Sequence, residues 1–356
     1  MARAKPAPGA EHLSVGALSQ RCARLLRQAS SSEGGIARPQ PRSAHLIALL
    51  ALALGGCATT SPLGPAESLL ATRAGCVPEV RAATAPDGVP IVYRVWVPAA
   101  PQSSRAVLVI PGIGYHSAPY AVVADALTAD GHAVAAVDLR GHGRSGGIRG
   151  TVPTPEQVVG DLDAVIACVR LELAPERVYI LGESMGGLVA LHYVATTGTS
   201  IDGVVFVAPA IRVASAQIAS PETVLVLGTF LFARDAPVVN LVGARLDEST
   251  ADAAFKEARR NDRLAIDRLS VNYLRGLGRL MEGWREKAAR IRAPSLVLHG
   301  TADAVLDPRG SEALHAALGA STKALVLVPD AHHTLFWDAE TPRVFAEIRR
   351  FVGTLP

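Results

Sequence analysis

The chain has 356 residues, 49% of them hydrophobic and 19% charged, enough to bury the core of one large α/β domain or two small ones. The net charge is only +3, and part of the basic excess sits near the N-terminus (Arg3, Lys5, Arg21, Arg24, Arg27, Arg38, Arg42), so charge gives no ground for a nucleic-acid partner. Cys22, Cys57, Cys76 and Cys168 include no Cys-x-x-Cys pair, so no structural zinc site is expected, and no internal repeat points to a solenoid or propeller.

Residues 1 to 42 are rich in Ala, Pro, Ser, Arg and Gly and lack a sustained apolar period, the composition of a disordered or removed segment. Leu46–Leu54 follows as an unbroken apolar run behind Arg38, Arg42 and His45. It is too short to span a bilayer as a helix and fits the core of a signal peptide. It ends in Leu54-Gly55-Gly56-Cys57, which resembles the cleavage box of bacterial lipoproteins, with Cys57 as the lipidated residue. Residues 1–56 are therefore read as a disordered N-terminus plus a lipoprotein-type signal, and residues 57–79 as a flexible tether. The expected setting is an exported, membrane-anchored bacterial lipoprotein, on the outer membrane at its periplasmic or surface face. More than forty residues precede the apolar core, which is long for the positive flank of a signal. A translation start nearer the core, for example at Val15, is expected instead. With Cys57 assigned, Cys76 and Cys168 remain as a disulfide formed in an oxidising compartment or as two separate buried thiols.

The folded domain is expected from Val80. Asp87-Gly88 is a hairpin signal, and Ile91–Val97 reads as a strand. Ala106–Ile110 and Ala133–Val137 are continuous apolar runs, the pattern of strands buried on both faces. A helix is expected near Pro119–Asp130 and another over Pro155–Leu171. Val178–Leu181 is a strand that runs into Gly182-Glu183-Ser184-Met185-Gly186, with a helix after it and a further strand at Gly203–Ala208. Residues 211–290 interrupt this alternation with helical stretches (Asp252–Arg268, Tyr273–Ile291) and the apolar segment Val224–Phe232. They are read as a helical cap. Val224, Leu227 and Phe230 are its expected substrate-binding side chains, or else core-packed ones. The alternation resumes with a strand at Ser295–His299, a helix at Pro308–Leu318, a strand at Ala324–Val328 and a terminal helix at Pro342–Val352. The fold class is α/β, a mostly parallel doubly wound sheet, with its core in residues 80–210 and 291–356 and a cap inserted after the sixth strand.

The chemistry centres on Ser184. A strand, a Gly-x-Ser-x-Gly turn and a helix make a nucleophile elbow, in which the flanking glycines permit a strained turn that presents the hydroxyl. Acyl transfer by serine also needs a base, an acid to orient the base, and oxyanion donors. Asp303 falls on the loop after the Ser295–His299 strand, and His333 on the loop after Ala324–Val328. Asp307 and Asp330 are rival acids, and His332 is the rival base. A His-His metal site would lack a third ligand at a sensible spacing, so neither metal nor cofactor is expected. The backbone N–H groups of Ile113 and Met185 are the candidate oxyanion donors. His142, in Asp138–Ser145, is read as a brace between loops.

Pro111–Ser117, Asp138–Ser145, Gly182–Gly187, Gly300–Asp303 and Asp330–His333 together resemble the monoacylglycerol lipase and lysophospholipase branch of the α/β-hydrolases, a group that shares its motifs with the serine aminopeptidases. The resemblance covers about residues 85 to 354. It implies an α/β-hydrolase fold, a Ser184, Asp303, His333 triad, an oxyanion hole at Ile113 and Met185, a lipid-facing cap and an ester or lipid substrate. Two positions depart from the family pattern. Pro111 stands where the oxyanion loop often begins with His, and Glu183 stands where His often precedes the nucleophile. The competing readings are a peptidase or amidase on the same fold and a non-catalytic lipoprotein that binds ligands.

Overall fold

The continuous apolar runs form the inner strands of one sheet, because a strand covered on both faces needs no polar side. The computed structural model describes residues 57–59, 78–98, 104–151, 153–214, 240 and 246–354. The expected signal segment, most of the tether, Cys76, and the cap residues Val224, Leu227 and Phe230 lie outside the described residues.

The described strands are β1 (Cys57–Thr59), β2 (Glu79–Thr84), β3 (Pro90–Trp96), β4 (Arg105–Ile110), β5 (Ala133–Val137), β6 (Arg177–Glu183), β7 (Gly203–Val207), β8 (Ser295–Gly300) and β9 (Lys323–Val328). They lie in the order β1-β2-β3-β5-β4-β6-β7-β8-β9. The hairpin at Asp87-Gly88 joins β2 to β3, and the pairs from β1 to β2, β2 to β3 and β3 to β5 are antiparallel. From β5 through β4 to β9 every pair is parallel. The insertion follows the sixth strand counted from Glu79, which is β7.

Side chains alternate across this sheet with the two-residue period of a strand. Ala106, Leu108 and Ile110 of β4 join one core with Ile180 of β6 and Phe206 of β7. Val107 and Val109 join the other with Tyr179, Leu181 and Val207. Helices α1 (Ala121–Thr128) and α9 (Thr341–Thr354) contribute to the second core, through Val123 and Leu127 and through Val344 and Ile348. Helices α2 (Pro155–Leu173) and α3 (Met185–Thr196) cover the first. Thr154 opens α2 with a reciprocal capping box: its Oγ1 accepts from Gln157 N–H, and Gln157 Oε1 accepts from Thr154 N–H. Cys168 on α2 is disulfide-bonded, which removes the reading of two separate thiols.

Two expectations change. Part of the tether, Cys57–Thr59, is an outer strand rather than free chain; the open edge of β2 offers N–H and C=O groups that a neighbouring segment satisfies. The described part of the cap is α4 (Leu246–Ser249), α5 (Ala253–Arg260), α6 (Val271–Met281) and α7 (Trp284–Arg290). The charged stretch from Asp252 thus yields only a short helix capped by Asp252, and Tyr273–Ile291 breaks at Gly283 into two. Tyr273, Leu280, Ala288 and Ile291 pack into the same core as α2 and α3. Residues 271–291 therefore belong to the body of the domain as much as to a lid. Helix α8 (Arg309–Ala317) lies between β8 and β9.

Candidate active site

The C-terminal ends of β4, β6, β8 and β9 lie along one end of the parallel sheet, with β7 between β6 and β8, and each leads into one loop of the site, the place where open parallel sheets bind ligands. The loop after β6 is the elbow. Ser184 has φ 54° and ψ −115°, a strained backbone for a residue with a side chain. Its N–H donates to Val207 O at 2.8 Å, and its carbonyl accepts from Gly187 and Ala210 N–H at 3.0 and 2.9 Å. Those bonds hold the turn. A Cβ on Gly182 would stand 2.3 Å from Gly186 O, and one on Gly186 would stand 2.0 Å from Ile110 O. Gly182 is thus required by the closure of the elbow on itself, and Gly186 by its packing against the end of β4.

Ser184 Oγ lies 3.0 Å from His333 Nε2, and His333 Nδ1 lies 2.7 Å from Asp303 Oδ2. The three side chains chosen from sequence therefore stand in hydrogen-bonded series. Each is 7–8% exposed, so the site is shielded yet reachable. Asp303 Oδ1 accepts from the N–H groups of Val305 and Leu306 at 2.7 and 2.8 Å. Burial works against the Asp303 charge, but His333 and His299 outweigh it and hold the carboxyl well below the usual carboxylate range. Burial likewise works against protonation of His333, and the Asp303 carboxylate overrides it, so the imidazole sits above its ordinary value.

The rivals fall elsewhere. Asp307 accepts from Arg309 N–H and pairs with the guanidinium of the same residue. Asp330 is exposed, and His332 Nδ1 is 2.8 Å from Asp338 Oδ2, its side chain 37% exposed against 8% for His333. No group of three or more His, Cys, Asp or Glu among the described residues is arranged to hold a metal ion.

The oxyanion candidates flank the nucleophile. Met185 opens α3, so its N–H is one of the four that a helix leaves without an internal acceptor. Ile113 follows Gly112, where an added Cβ would meet Ser184 Cβ at 3.6 Å, so this loop runs directly against the elbow. Asp138 holds its far end by accepting from Ser117 N–H at 2.6 Å. His142 braces, as expected: Nδ1 lies 3.1 Å from Arg140 O and Nε2 3.0 Å from Tyr273 Oη. Burial pushes it down to about 4, so it is neutral at physiological pH.

Several neighbours carry no sequence signal. His299, fully buried on β8, places Nε2 3.0 Å from Asp303 Oδ2 and Nδ1 2.6 Å from Ser311 Oγ. Tyr273 on α6 donates to Met185 Sδ at 2.8 Å. The stretch from Arg259 to Ile266 grips the oxyanion loop: Ile266 N–H donates to Gly114 O at 2.9 Å, Asp262 Oδ2 meets His116 Nε2 at 2.6 Å, and the Arg259 guanidinium lies 5.1 Å from the centre of the Tyr115 ring. Phe255 of α5 stacks on Trp337 at 4.1 Å and on Tyr115 at 6.0 Å between ring centres. This aromatic stack joins the cap to the loops that carry Ile113 and His333.

Gly300 closes the space between the acid and base loops. A Cβ there would lie 2.1 Å from Ala331 O and 2.5 Å from His332 O, both backbone atoms that cannot swing aside. Gly300→Ala is expected to lower stability by about 1–3 kcal/mol through overpacking. It is also expected to cost roughly 10²-fold in kcat, because the Asp303 and His333 loops are forced apart. Thermal melts and steady-state kinetics on the purified variant measure both; unchanged kcat would show that the loops absorb the shift.

A model of the family described as serine aminopeptidase, S33, matches residues 101–340. The monoacylglycerol lipase of Mycolicibacterium smegmatis is 28% identical over 267 residues, 74% of this chain and 93% of that one. Monoglyceride lipase from Rattus norvegicus is also 28% identical, over 75% of this chain and 87% of its own. The crystal structure of Paleococcus ferrophilus monoacylglycerol lipase superposes with TM-score 0.62 at 27% identity, covering 75% of this chain and 99% of that one. A soluble variant of the Saccharomyces cerevisiae monoglyceride lipase shares the fold at TM-score 0.68 and 22% identity, over 77% of this chain and 94% of that one. The α/β-hydrolase fold expected from the motifs is the fold found, and with a family match over more than half its length the chain belongs to the serine aminopeptidase, S33, family of α/β-hydrolases.

Proposed function

We propose that the protein is a serine hydrolase of carboxylic esters that acts on monoacylglycerols, lysophospholipids or related lipid esters. The observation that carries this reading is the series Ser184 Oγ, His333, Asp303 at 3.0 and 2.7 Å. The likeness to monoacylglycerol lipases supports lipid esters among carboxylic esters.

In this mechanism Ser184 Oγ attacks the ester carbonyl carbon while His333 Nε2 takes its proton. The carbonyl oxygen becomes the oxyanion and accepts from the N–H groups of Met185 and Ile113, donors worth about 3–4 kcal/mol each at the upper end. The bond to the leaving alcohol breaks as His333 returns the proton to it, leaving an acyl-enzyme. Water, deprotonated by His333, then attacks the acyl carbon and frees the acid and Ser184. Asp303 stays ionised throughout and steadies the imidazolium.

The test is hydrolysis of an ester series from acetyl to palmitoyl glycerol by residues 58–356, with an aminoacyl amide series as comparison and fluorophosphonate labelling of Ser184. Rising rates with chain length support a lipid substrate. Hydrolysis of amides alone would move the protein to the peptidase reading, and neither turnover nor labelling would leave a binding protein.

Activity needs neutral His333. Because its folded value is raised above the ordinary imidazole value of about 6.5, kcat/KM is expected to fall as pH drops through that raised value. The acid limb of the profile therefore lies on the alkaline side of 6.5. A limb well below 6.5 would show that Asp303 does not support the imidazolium.

Lipid attachment at Cys57, with export and membrane anchoring, belongs to the same proposal and is supported by the Leu54–Cys57 box and the apolar run ahead of it. No helix among the described residues is long and apolar enough to cross a membrane. In a bacterial host, Cys57→Ala is expected to move the protein from the membrane to the soluble fraction, and an unchanged distribution would sink the anchor.

A further inference from the structure

Glu183 and Tyr120 lie behind the reaction site and take no part in the mechanism above. Glu183 ends β6, next to the nucleophile, and only 1% of it is exposed. Tyr120, in the short 3₁₀ turn Ala118–Tyr120, is fully buried. Its hydroxyl donates to Glu183 Oε2 and accepts from Gly112 N–H at 2.8 Å. Both hydrogens of the chain therefore point one way, with the Gly112 amide donating to the phenol and the phenol donating to the carboxylate. Bonds in such a series polarise one another, so the end group sets the strength of the first bond.

The geometry of the relay meets the chemistry at Gly112. That residue precedes Ile113, whose N–H is the proposed oxyanion donor, and it packs against Ser184. The bond to Gly112 N–H anchors the Pro111–Gly112 peptide, and Gly112 O on the next peptide accepts from Tyr115 N–H at 3.2 Å, so the backbone is held on both sides of Gly112, just before Ile113 N–H. The ionisable side chains that face Glu183 electrostatically come from two connections: Tyr115 and Tyr120 from the one between β4 and α1, and His333 from the one after β9.

We infer that Glu183 and Tyr120 form a positioning relay, which anchors the Pro111–Gly112 peptide, and through it the approach of Ile113 N–H, in register with Ser184 and places a second carboxylate charge behind His333. The inference rests on the ester-hydrolase reading for its kinetic consequence. Burial pushes the Glu183 carboxyl up to about 7, against the pull of the Tyr120 hydrogen bond and of His333. The ionised form, the stronger acceptor, therefore gains as pH rises through neutrality.

The two halves of the relay separate by mutation. Tyr120→Phe keeps the ring and deletes the link. It is expected to lower kcat on a short soluble ester by about 10–100-fold with KM within twofold, since the lost alignment acts on the transition state. Amide exchange in the 110–117 peptide, read by mass spectrometry, is expected to quicken. Glu183→Gln keeps an acceptor for the Tyr120 hydroxyl and removes the charge. Its loss in kcat is expected to be smaller than that of Tyr120→Phe, its exchange in 110–117 to stay slow, and its acid limb to move to lower pH, because His333 loses a supporting anion. Wild-type kcat and exchange in Tyr120→Phe, or an unmoved acid limb in Glu183→Gln, would overturn the inference. So would a loss of kcat matched by an equal rise in KM and a collapsed melting temperature, the mark of a merely structural role. A wild type that neither turns over ester nor labels would instead overturn the ester-hydrolase reading, and the exchange comparison would still decide whether the relay holds the loop.

Discussion

Ser184→Ala is expected to reduce kcat by about a million-fold, the loss produced when the nucleophile of a serine hydrolase is deleted. The remaining rate would be that of substrate held beside the two oxyanion donors and attacked by water. The substitution removes one oxygen, the partner of His333 Nε2, and leaves the elbow bonds to Val207, Gly187 and Ala210 in place, since these are made by backbone. Alanine at φ 54° is no more strained than serine there. The melting temperature should therefore stay within a few degrees of wild type while turnover and fluorophosphonate labelling vanish together. A variant that keeps more than one per cent of the wild-type rate would show that another group is the nucleophile, and the proposed mechanism would fall.

The fold and the hydrogen-bonded series Ser184, His333, Asp303 were legible because both are written in local chemistry. Buried parallel strands need unbroken apolar runs, so Ala106–Ile110, Ala133–Val137 and Gly203–Ala208 stood out against the helices between them. The elbow glycines answer a steric demand that no other residue meets, which brings Ser184 forward as a candidate that a base, an acid and oxyanion donors must complete. Asp303 and His333 followed from their places just beyond two late strands. His299 and Tyr120 were not legible, because each acts through a contact made across the fold: His299 reaches an acid four residues on only because β8 ends there, and Tyr120 reaches Gly112 and Glu183 from an adjoining turn. Glu183 was noticed as a departure from the family pattern, but its partner was hidden until the structure placed the two together. The charged stretch from Asp252 misled for a related reason. Its helix stops at Arg260, and the following residues turn back to hold Gly114 and His116, a tertiary demand that outweighs helix propensity.

Asp303→Asn is the sharper test of how the base is held. The substitution is isosteric, so its effect depends on which way the amide turns. Oδ1 of Asp303 accepts from two backbone N–H groups, those of Val305 and Leu306, and an amide NH₂ in that position would face two donors. The asparagine oxygen is therefore held toward the loop, and its NH₂ is directed at His333 Nδ1. That nitrogen must then accept rather than donate, which moves the ring proton to Nε2. An Nε2–H cannot take the proton of Ser184. His299, whose Nε2 lies 3.0 Å from Asp303 Oδ2, escapes the same conflict by donating through Nδ1 to Ser311 and accepting at Nε2. The loop thus enforces the wrong tautomer of the base. The expected loss in kcat is about 10⁴-fold, as for a triad whose acid is replaced by its amide. Loss of the Asp303 anion also removes the main influence that raises His333, so burial then prevails and the residual acid limb should shift to lower pH. Both readouts come from one set of pH–rate measurements on the variant. A loss of less than tenfold with an unmoved limb would mean that His333 takes its orientation from another acid, and Asp307 and Asp330 would have to be reconsidered despite their distant bonds.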